Sequence, residues 1–208
     1  MTATVERIVT SGVFSLDGQD FDVDNNVYLV GDDSEVIVID AAHDAGVISS
    51  VIGDRRVLAV ICTHGHNDHI TAAPELAEST GATIHLHPAD QMLWDVVHPG
   101  VTTLDLVDGQ TITVAGTDLL VIHTPGHSPG GVCLYSADLG VVFSGDTLFH
   151  GGPGATGRSY SHFPTILDSI RERLLSLPPD TRVLTGHGDE TTIGAEAASY
   201  DEWVARGH

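Results

Sequence analysis

The feature that most constrains this chain is a cluster of histidine and aspartate residues in one short segment. Three imidazoles and a carboxylate fall within six positions of the run Thr63-His64-Gly65-His66-Asn67-Asp68-His69. These groups are costly to bury without partners, and they are good ligands for a divalent metal ion. Because two histidines lie two positions apart and an Asp-His pair follows, one loop could present two pairs of ligands to two neighbouring ions. The run therefore predicts a metal site rather than a solvated polar turn.

The apolar segment that leads into this run, residues 57–62, has the length and composition of a strand covered on both faces. Further strands are predicted at residues 5–10, 26–30, 35–39, 83–86, 111–114, 119–123, 132–135, 141–143 and 182–184. Helices are predicted at residues 44–52, 72–80, 88–96, 163–177 and 195–205. Groups of strands in both halves, each with helices, predict an α/β domain over residues 1–208, with two sheets packed face to face and helices outside.

Three further polar residues occur where an apolar strand enters a glycine-containing turn. They are His127 in Thr124-Pro125-Gly126-His127-Ser128-Pro129-Gly130, Asp146 in Ser144-Gly145-Asp146-Thr147, and His187 in Thr185-Gly186-His187-Gly188. In each case a glycine directly precedes the polar residue, which eases a backbone bend and lets side chains converge. Ligands at the ends of strands in a rigid sheet are well held. We therefore predict that these three residues join the first cluster.

The combined set offers seven ligands, and its composition suits two ions. A carboxylate can bridge two ions with its two oxygens, whereas a neutral imidazole has one lone pair to offer. Asp146 is the better bridge, because Asp68 has His69 beside it and can share one ion with it. We assign the ligands as His64, His66 and His127 to the first ion, Asp68, His69 and His187 to the second, and Asp146 to both. A bridging hydroxide would complete the two shells, with the ions about 3.5–4 Å apart.

The charge composition of the chain limits the classes of molecule that it is expected to bind. The formal net charge is −21, with 29 acidic residues against 8 basic ones, all of them arginine. This balance opposes binding to nucleic acid or to an anionic membrane surface, so a small-molecule substrate is expected. The N-terminus has no basic region followed by an apolar stretch, and no run reaches the length of a membrane span. Cys62 and Cys133 lie in apolar segments and are expected to be buried and reduced, in a cytoplasmic protein. The oligomeric state is left open.

The motifs around these residues resemble those of the metallo-β-lactamase superfamily, in its glyoxalase II-like branch of single-domain hydrolases. The resemblance rests on the runs at residues 63–69, 124–130, 144–149 and 186–188, and covers nearly the whole chain. It implies a four-layer αββα sandwich with the metal ions at one edge of the two sheets. Val36-Ile37-Val38-Ile39-Asp40 is similar to the first motif of the superfamily, which implies that Asp40 supports the metal ligands from behind.

This resemblance implies a dinuclear metallohydrolase in which a metal-bound hydroxide attacks a thioester, with Asp68 and Asp146 as candidate catalytic carboxylates. Two divalent ions are expected; nitrogen and oxygen ligands suit zinc, and iron or manganese as well. Aspartate at position 146 favours the glyoxalase-type branch over antibiotic hydrolysis. The longer hydroxyacylglutathione hydrolases carry a C-terminal helical domain with basic residues that this chain lacks. Arg158, Tyr160 and His162 are the remaining candidates for substrate contact.

Two other activities stay open. Persulfide dioxygenases share this framework and resemble a mononuclear iron site, in which His64, His127 and Asp146 would form the triad. Lactone hydrolysis is the other alternative. Among the remaining histidines, His43 and His150 follow Asp40 and Asp146 closely and could line the edge of the site. His123 is predicted to be a satisfied core residue, and His85, His87, His98 and His208 are predicted to be structural or surface residues.

Overall fold

Two mixed sheets of six strands each form the centre of the molecule, in a computed structural model that describes residues 3–207. The first sheet has the order β1 (Thr4–Leu16), β2 (Gln19–Gly31), β3 (Glu35–Ile39), β4 (Arg56–Ile61), β5 (Thr83–Leu86) and β6 (Leu104–Asp105). The second sheet runs from β7 (Thr111–Val114) through β8 (Thr117–His123), β9 (Val132–Ser136), β10 (Val141–Gly145) and β13 (Arg182–Thr185) to β14 (Thr191–Thr192). A small hairpin of β11 (Leu148–Phe149) and β12 (Gly152–Pro153) lies beside them.

Helices cover the outer faces of both sheets. They are α1 (Ala45–Ile52), α2 (Asn67–Ile70), α3 (Ala73–Thr80), α4 (Gln91–Val97), α5 (Phe163–Ser169), α6 (Ile193–Ala197) and α7 (Tyr200–Arg206). Within residues 3–207 no helix is both long and apolar enough to cross a membrane. The layers follow the predicted order of helices, sheet, sheet and helices, so the αββα metallo-β-lactamase fold is confirmed.

The sequence of β3 shows why three hydrophobic layers form. Ile37 and Ile39 face the second sheet and pack in the core between the sheets, where Phe143 and Leu134 meet them. Val36 and Val38 face the opposite way, toward α1 and α3. A strand with both faces buried needs apolar residues at every position, which is the continuous apolar pattern seen in the sequence. A third cluster joins the second sheet to α5, α6 and α7.

Several predicted boundaries were wrong. The first two strands are 13 residues each and form one long hairpin, because Asp17 and Gly18 both adopt positive φ and close a tight turn. The predicted helix at residues 163–177 changes to a π-helical turn, Ile170–Leu174. The predicted helix at residues 195–205 is two short helices separated at Ala198 and Ser199. A 3-10 turn, Pro88–Asp90, precedes α4, and the short helix α2 was not predicted.

Both cysteines are buried and unpaired with each other, as expected. Burial raises the pKa of the Cys62 and Cys133 thiols, so both stay protonated and unreactive at neutral pH. That residues 1–208 form one domain stays a prediction, since residues 1, 2 and 208 lie outside the described part. The prediction for His208 lies outside it for the same reason.

Candidate metal centre

All seven predicted ligands meet at one edge of the sandwich, where strands from both sheets end. The run of residues 63–69 follows β4 and enters α2, while Asp146 and His187 directly follow β10 and Gly186. β10 and β13 are parallel neighbours, so the residues beyond their carboxyl ends meet at the same edge. His127 arrives from the loop after β8. The fold thus gathers residues that are up to 123 positions apart into one cluster.

The first predicted trio is present as a compact group. One ligand atom from each of His64, His66 and His127 lies within 4.8 Å of the other two. Nδ1 of His66 is 3.0 Å from Nε2 of His127, a contact between two ring nitrogens that a shared cation would stabilise. His64 and His66 are almost completely buried, so solvent contributes little to their ring nitrogens.

The second predicted trio, Asp68, His69 and His187, is also a compact group. Nε2 of His187 lies 3.2 Å from Oδ2 of Asp68 and 3.2 Å from Nε2 of His69. Asp146 stands between the trios: Oδ1 is 3.3 Å from Nε2 of His69, and Oδ2 is 3.5 Å from Nε2 of both His127 and His187. This carboxylate therefore contacts one histidine of the first trio and two of the second, which is the placement that a bridging ligand requires.

The outer nitrogens of four histidines have fixed acceptors that orient the rings. His69 Nδ1 donates to Asp40 Oδ2 at 3.0 Å, His127 Nδ1 to the Ala155 carbonyl at 2.8 Å, and His187 Nδ1 to the Asp24 carbonyl at 2.7 Å. For His64, Nδ1 lies 3.1 Å from Thr63 Oγ1. Since each Nδ1 faces outward, each Nε2 faces the centre, which is the arrangement that ligating histidines show in metalloproteins.

Asp40 hydrogen-bonds to residues of both trios or directly beside them. Its Oδ1 accepts the Thr63 N–H at 2.7 Å and its Oδ2 accepts the Thr63 hydroxyl at 2.8 Å, in addition to the bond from His69. Because the Thr63 hydroxyl proton points at Asp40, the hydroxyl oxygen is free to accept from His64 Nδ1. One buried carboxylate thus fixes the tautomers of a histidine in each trio.

Two of the predicted glycines are needed here for different reasons. Gly145 has φ +48, and a Cβ at this position would lie 2.4 Å from Thr63 Oγ1. Gly186 needs space instead: a Cβ there would lie 2.3 Å from Asp146 Oδ1 and 2.7 Å from His69 Cε1. The Asp146 carboxylate can occupy its position only because residue 186 has no side chain.

The donor atoms of the cluster fit divalent ions. Among the described residues, six buried side-chain polar atoms lack a hydrogen-bond partner, and four of them are in this cluster. They are His64 Nε2, His66 Nε2, Asp68 Oδ1 and Asp146 Oδ1. Unpaired buried polar atoms are costly, and such atoms in natural proteins call for an explanation such as a bound ion. A set of imidazole and carboxylate donors without thiolate suits zinc, iron or manganese.

Burial keeps two histidines of the first trio neutral. It lowers the pKa of His64 well below the usual range, and the neighbouring His69 acts in the same direction. It also lowers the pKa of His66 to about 3, with His127 adding to the effect. Both rings therefore have a free lone pair at neutral pH, which is the form that binds a metal.

For the two carboxylates and for His187, neighbouring charges and hydrogen bonds outweigh the effect of burial on the pKa. Burial opposes ionisation of Asp68, but His69 and hydrogen bonds from His187 and Asn25 hold its pKa at about 2. For Asp146 burial is likewise overcome by His69 and His187, and the pKa lies well below the usual range. In return, and against the effect of burial, the Asp146 carboxylate raises the pKa of His187 to about 10. The metal-free protein thus holds protons in this trio that a bound ion would displace.

A cleft of about 220 Å³ opens over the cluster. Its walls beyond the candidate ligands are apolar: Phe14, Val23, Phe149 and Ala155. Phe14 comes from the long β1–β2 hairpin and contacts the His66 ring edge-on, with centroids 5.3 Å apart. No local pattern indicated that this hairpin reaches the site, since the predicted first strand ended at residue 10.

The three candidates for substrate contact are placed differently. Arg158 lines a smaller chamber of about 40 Å³ that adjoins the cleft, together with Leu16, Ser159 and Ser161. Its guanidinium lies 4.7 Å from the centroid of the Phe21 ring, and its Nη1 donates to Gln19 Oε1 at 3.1 Å. Tyr160 is 58% exposed with φ +69, and His162 packs at the start of α5 with Nδ1 2.7 Å from Thr165 Oγ1. Neither of these two lines the chambers described above.

Two polar residues that the sequence did not single out hold the cluster in place. Asn25 donates from Nδ2 to Asp68 Oδ2 at 3.0 Å, and its Oδ1 lies 2.8 Å from His43 Nε2. His43 therefore acts on the site through Asn25 and does not line the cleft. Asp90 joins two loops of the centre by three hydrogen bonds. Its position within an expected helical segment gave no signal for this role.

The other histidines lie outside the cluster. Nε2 of His123 donates to the Pro129 carbonyl in its own loop at 2.9 Å, and the side chain is half-buried rather than in the core. His87 stacks on His123 with ring centroids 4.1 Å apart. His85 contacts Thr83, His98 contacts the Ile70 carbonyl, and His150 is exposed. We assign none of these residues to the site.

Two mixed sheets packed face to face, with imidazole and carboxylate groups gathered beyond the ends of their strands, define a protein of the αββα class with a candidate metal centre. A family model described as the metallo-beta-lactamase superfamily matches residues 21–187. This chain belongs to that superfamily, whose members bind divalent metal ions.

Individual relatives are similar over most of their length. The hydroxyacylglutathione hydrolase GloC of Haemophilus influenzae is 31% identical over 191 residues, which cover 84% of this chain and 90% of the relative. The structure of TTHA1623 in a di-iron-bound form has a TM-score of 0.75 with 34% identity, covering 84% of this chain and 93% of that one. The structure of the BLEG-1 B3 metallo-beta-lactamase has a TM-score of 0.76 with 29% identity, covering 91% of this chain and 97% of that one.

Proposed function

We propose that this protein is a dinuclear metallohydrolase whose substrate is a thioester. The observation that carries the proposal is the position of Asp146, whose two oxygens lie within 3.5 Å of histidine ring nitrogens from both trios of candidate ligands. The second trio on the far side of that carboxylate offers a complete set of ligands for a second ion. Similarity to GloC and to a protein with a di-iron form supports the reaction class and the ion pair.

His64, His66 and His127 would hold one ion, and Asp68, His69 and His187 the other, with Asp146 shared. Two divalent ions bound there would supply a hydroxide nucleophile near neutral pH and an electrophile for the carbonyl oxygen. Asp68 and Asp146 are ionised at neutral pH because their pKa values are low, so these carboxylates accept hydrogen bonds and do not donate them. A thiolate is a good leaving group, and the site needs no strong general acid to release it.

The chain's own residues would also select and shield the substrate. Phe14 and Val23 on the β1–β2 hairpin, with Phe149 opposite, form walls that exclude water from the acyl group. Arg158 is the cationic side chain that lines the adjoining chamber, where it could pair with an anionic group on the thiol portion. The polar hydroxyls of Ser159 and Ser161 lie in the same chamber.

The test combines elemental analysis with a substrate panel. We expect about two metal ions per chain and hydrolysis of acyl thioesters, measured by release of free thiol. In the Asp146→Ala variant we expect loss of hydrolysis and of at least one ion.

One iron per chain, with oxygen uptake on a low-molecular-weight persulfide, would refute the proposal in favour of a dioxygenase. Turnover of lactones or of β-lactams alone would keep the hydrolase and refute the thioester. Full activity and full occupancy in Asp146→Ala would refute the dinuclear site.

A further inference from the structure

Asp90 lies directly behind the first histidine trio and is completely buried. Its Oδ2 accepts the Gly65 N–H at 2.8 Å and the Ser128 hydroxyl at 2.7 Å, and its Oδ1 accepts the Gly130 N–H at 2.5 Å. Gly65 lies between His64 and His66 in the chain, and Ser128 directly follows His127. One carboxylate thus fastens the loop that carries two ligands of the trio to the loop that carries the third.

The two loops pack closely against Asp90. A Cβ on Gly65 would lie 2.8 Å from Leu93 Cβ and 3.0 Å from the Asp90 carbonyl oxygen. A Cβ on Gly130 would lie 2.7 Å from Asp90 Cγ. Both loops approach the residue as closely as backbone can, which only glycine permits.

The Asp90 side chain does not cap the helix that begins beside it. It is the N-cap residue of α4, where an aspartate side chain usually accepts a backbone N–H of the first helical turn. Here the side chain makes no such cap bond, and both oxygens are used by the two loops. The three hydrogen bonds therefore replace a cap that would have stabilised the helix.

The second trio is oriented by other residues. Asp40 holds His69, Asn25 holds Asp68, and the Asp24 carbonyl holds His187. Asp90 contacts none of these three ligands or their holding residues through the bonds described. Its effect should therefore be confined to one half of the centre.

We propose that Asp90 is a positioning residue that sets the distance between His64, His66 and His127, and so determines the affinity of the first metal position and not the second. This inference rests on the proposed metal centre. A carboxylate is required because its two oxygens accept all three hydrogen bonds, from two backbone N–H groups and one hydroxyl. An asparagine would turn an amide N–H₂ toward at least one of the donors, which breaks a buried hydrogen bond and leaves a donor unpaired.

The experiment titrates the metal-free protein with Zn²⁺ in competition with a chelator. It compares the wild type with Asp90→Asn, with Ser128→Ala, and with the control Glu196→Gln. Glu196 is also a buried carboxylate, which accepts bonds from Gly151 N and Thr191 Oγ1 and contacts neither loop that Asp90 joins. We expect Asp90→Asn to weaken one of two affinities about 10- to 100-fold and to leave the other within twofold. Ser128→Ala should weaken the same affinity by roughly three- to tenfold, and Glu196→Gln should leave both unchanged.

Double variants separate positioning from a general loss of stability. In a His127→Ala background, which already removes the first position, Asp90→Asn should cause no further loss of zinc affinity. In a His187→Ala background it should weaken the remaining position by the same factor as in the wild type.

Equal weakening of both positions, or a further loss in the His127→Ala background, would overturn the inference. So would a folded Asp90→Asn variant that binds two zinc ions as the wild type does. If Asp90→Asn fails to fold, Ser128→Ala decides, and wild-type zinc affinities in that variant would overturn the inference. A wild type that binds no zinc, iron or manganese would overturn the metal centre itself, and this inference with it.

Discussion

A substitution at Gly186 tests the position of the Asp146 carboxylate more directly than a change to any candidate ligand. The Cβ of a Gly186→Ala variant would lie 2.3 Å from Asp146 Oδ1, whereas ordinary contact begins at about 3.4 Å. Asp146 must therefore move by about 1 Å, and its other side is closed by His69, His127 and His187. A shift of this size in a catalytic group costs on the order of 100-fold in rate, which corresponds to about 2.7 kcal/mol of transition-state stabilisation.

The assay measures kcat/KM for thioester hydrolysis together with metal content and thermal stability. We expect a loss of about 100-fold in kcat/KM and of part of the metal, with unfolding free energy reduced by about 1–3 kcal/mol through overpacking. Gly46→Ala is the matched control, because a Cβ at Gly46 contacts only the end of the Asp44 side chain, at 3.2 Å. If Gly186→Ala retains full metal content and activity within twofold of the control, Asp146 does not occupy the position described.

Three further predictions concern the residues around the ligands. Asp40→Asn should reduce metal affinity by about 10- to 100-fold, measured by chelator competition, because it removes an acceptor shared by Thr63 and His69. In the metal-free protein the low pKa of Asp68, about 2, contributes stability that is present above about pH 4 and is lost as the pH falls toward 2. Denaturant titrations should therefore show that the free energy of unfolding falls more steeply with decreasing pH in the wild type than in Asp68→Asn. Arg158→Ala should raise KM for thioesters of a carboxylate-bearing thiol by about tenfold and leave KM for an uncharged thiol unchanged, and equal effects on both would contradict an anionic contact.

The candidate ligands could be predicted because each one is marked locally. His127, Asp146 and His187 follow an apolar strand and a glycine, and parallel or neighbouring strands bring such positions to one edge. The pairing of His64 with His66 and of Asp68 with His69 followed from their spacing, whereas the assignment of His127 and His187 agrees with the pattern of the family that the sequence resembles. The same trios are found in the structure as compact groups. Their role as metal ligands stays a prediction.

The residues that hold the ligands could not be predicted, because their contacts span distant parts of the chain. Asp90 is 25 positions from Gly65 and 40 from Gly130, and nothing in its neighbourhood distinguishes it from an exposed aspartate at a helix start. Asn25 reaches Asp68 across 43 positions. Phe14 was missed because polar residues interrupt the apolar pattern of β1 and the strand was expected to end early. These are consequences of tertiary structure that a local pattern does not contain.

The β1–β2 hairpin supplies residues that line the cleft, whereas all seven candidate ligands come from other parts of the chain. β2 pairs with β3 only over Tyr28–Gly31, so the part of the hairpin beyond that point is a two-stranded arm that is attached to the sheet at one end. The arm supplies Phe14 and Val23 to the cleft but none of the seven candidate ligands. Substitutions in residues 13–23 of the arm can therefore alter the shape of the cleft and leave the candidate ligands in place, whereas Asp24 and Asn25 hold His187 and Asp68 and must be kept. A library confined to residues 13–23 is the economical way to test this separation, since it retains all seven candidate ligands and leaves Gly12, which packs on His43, unchanged.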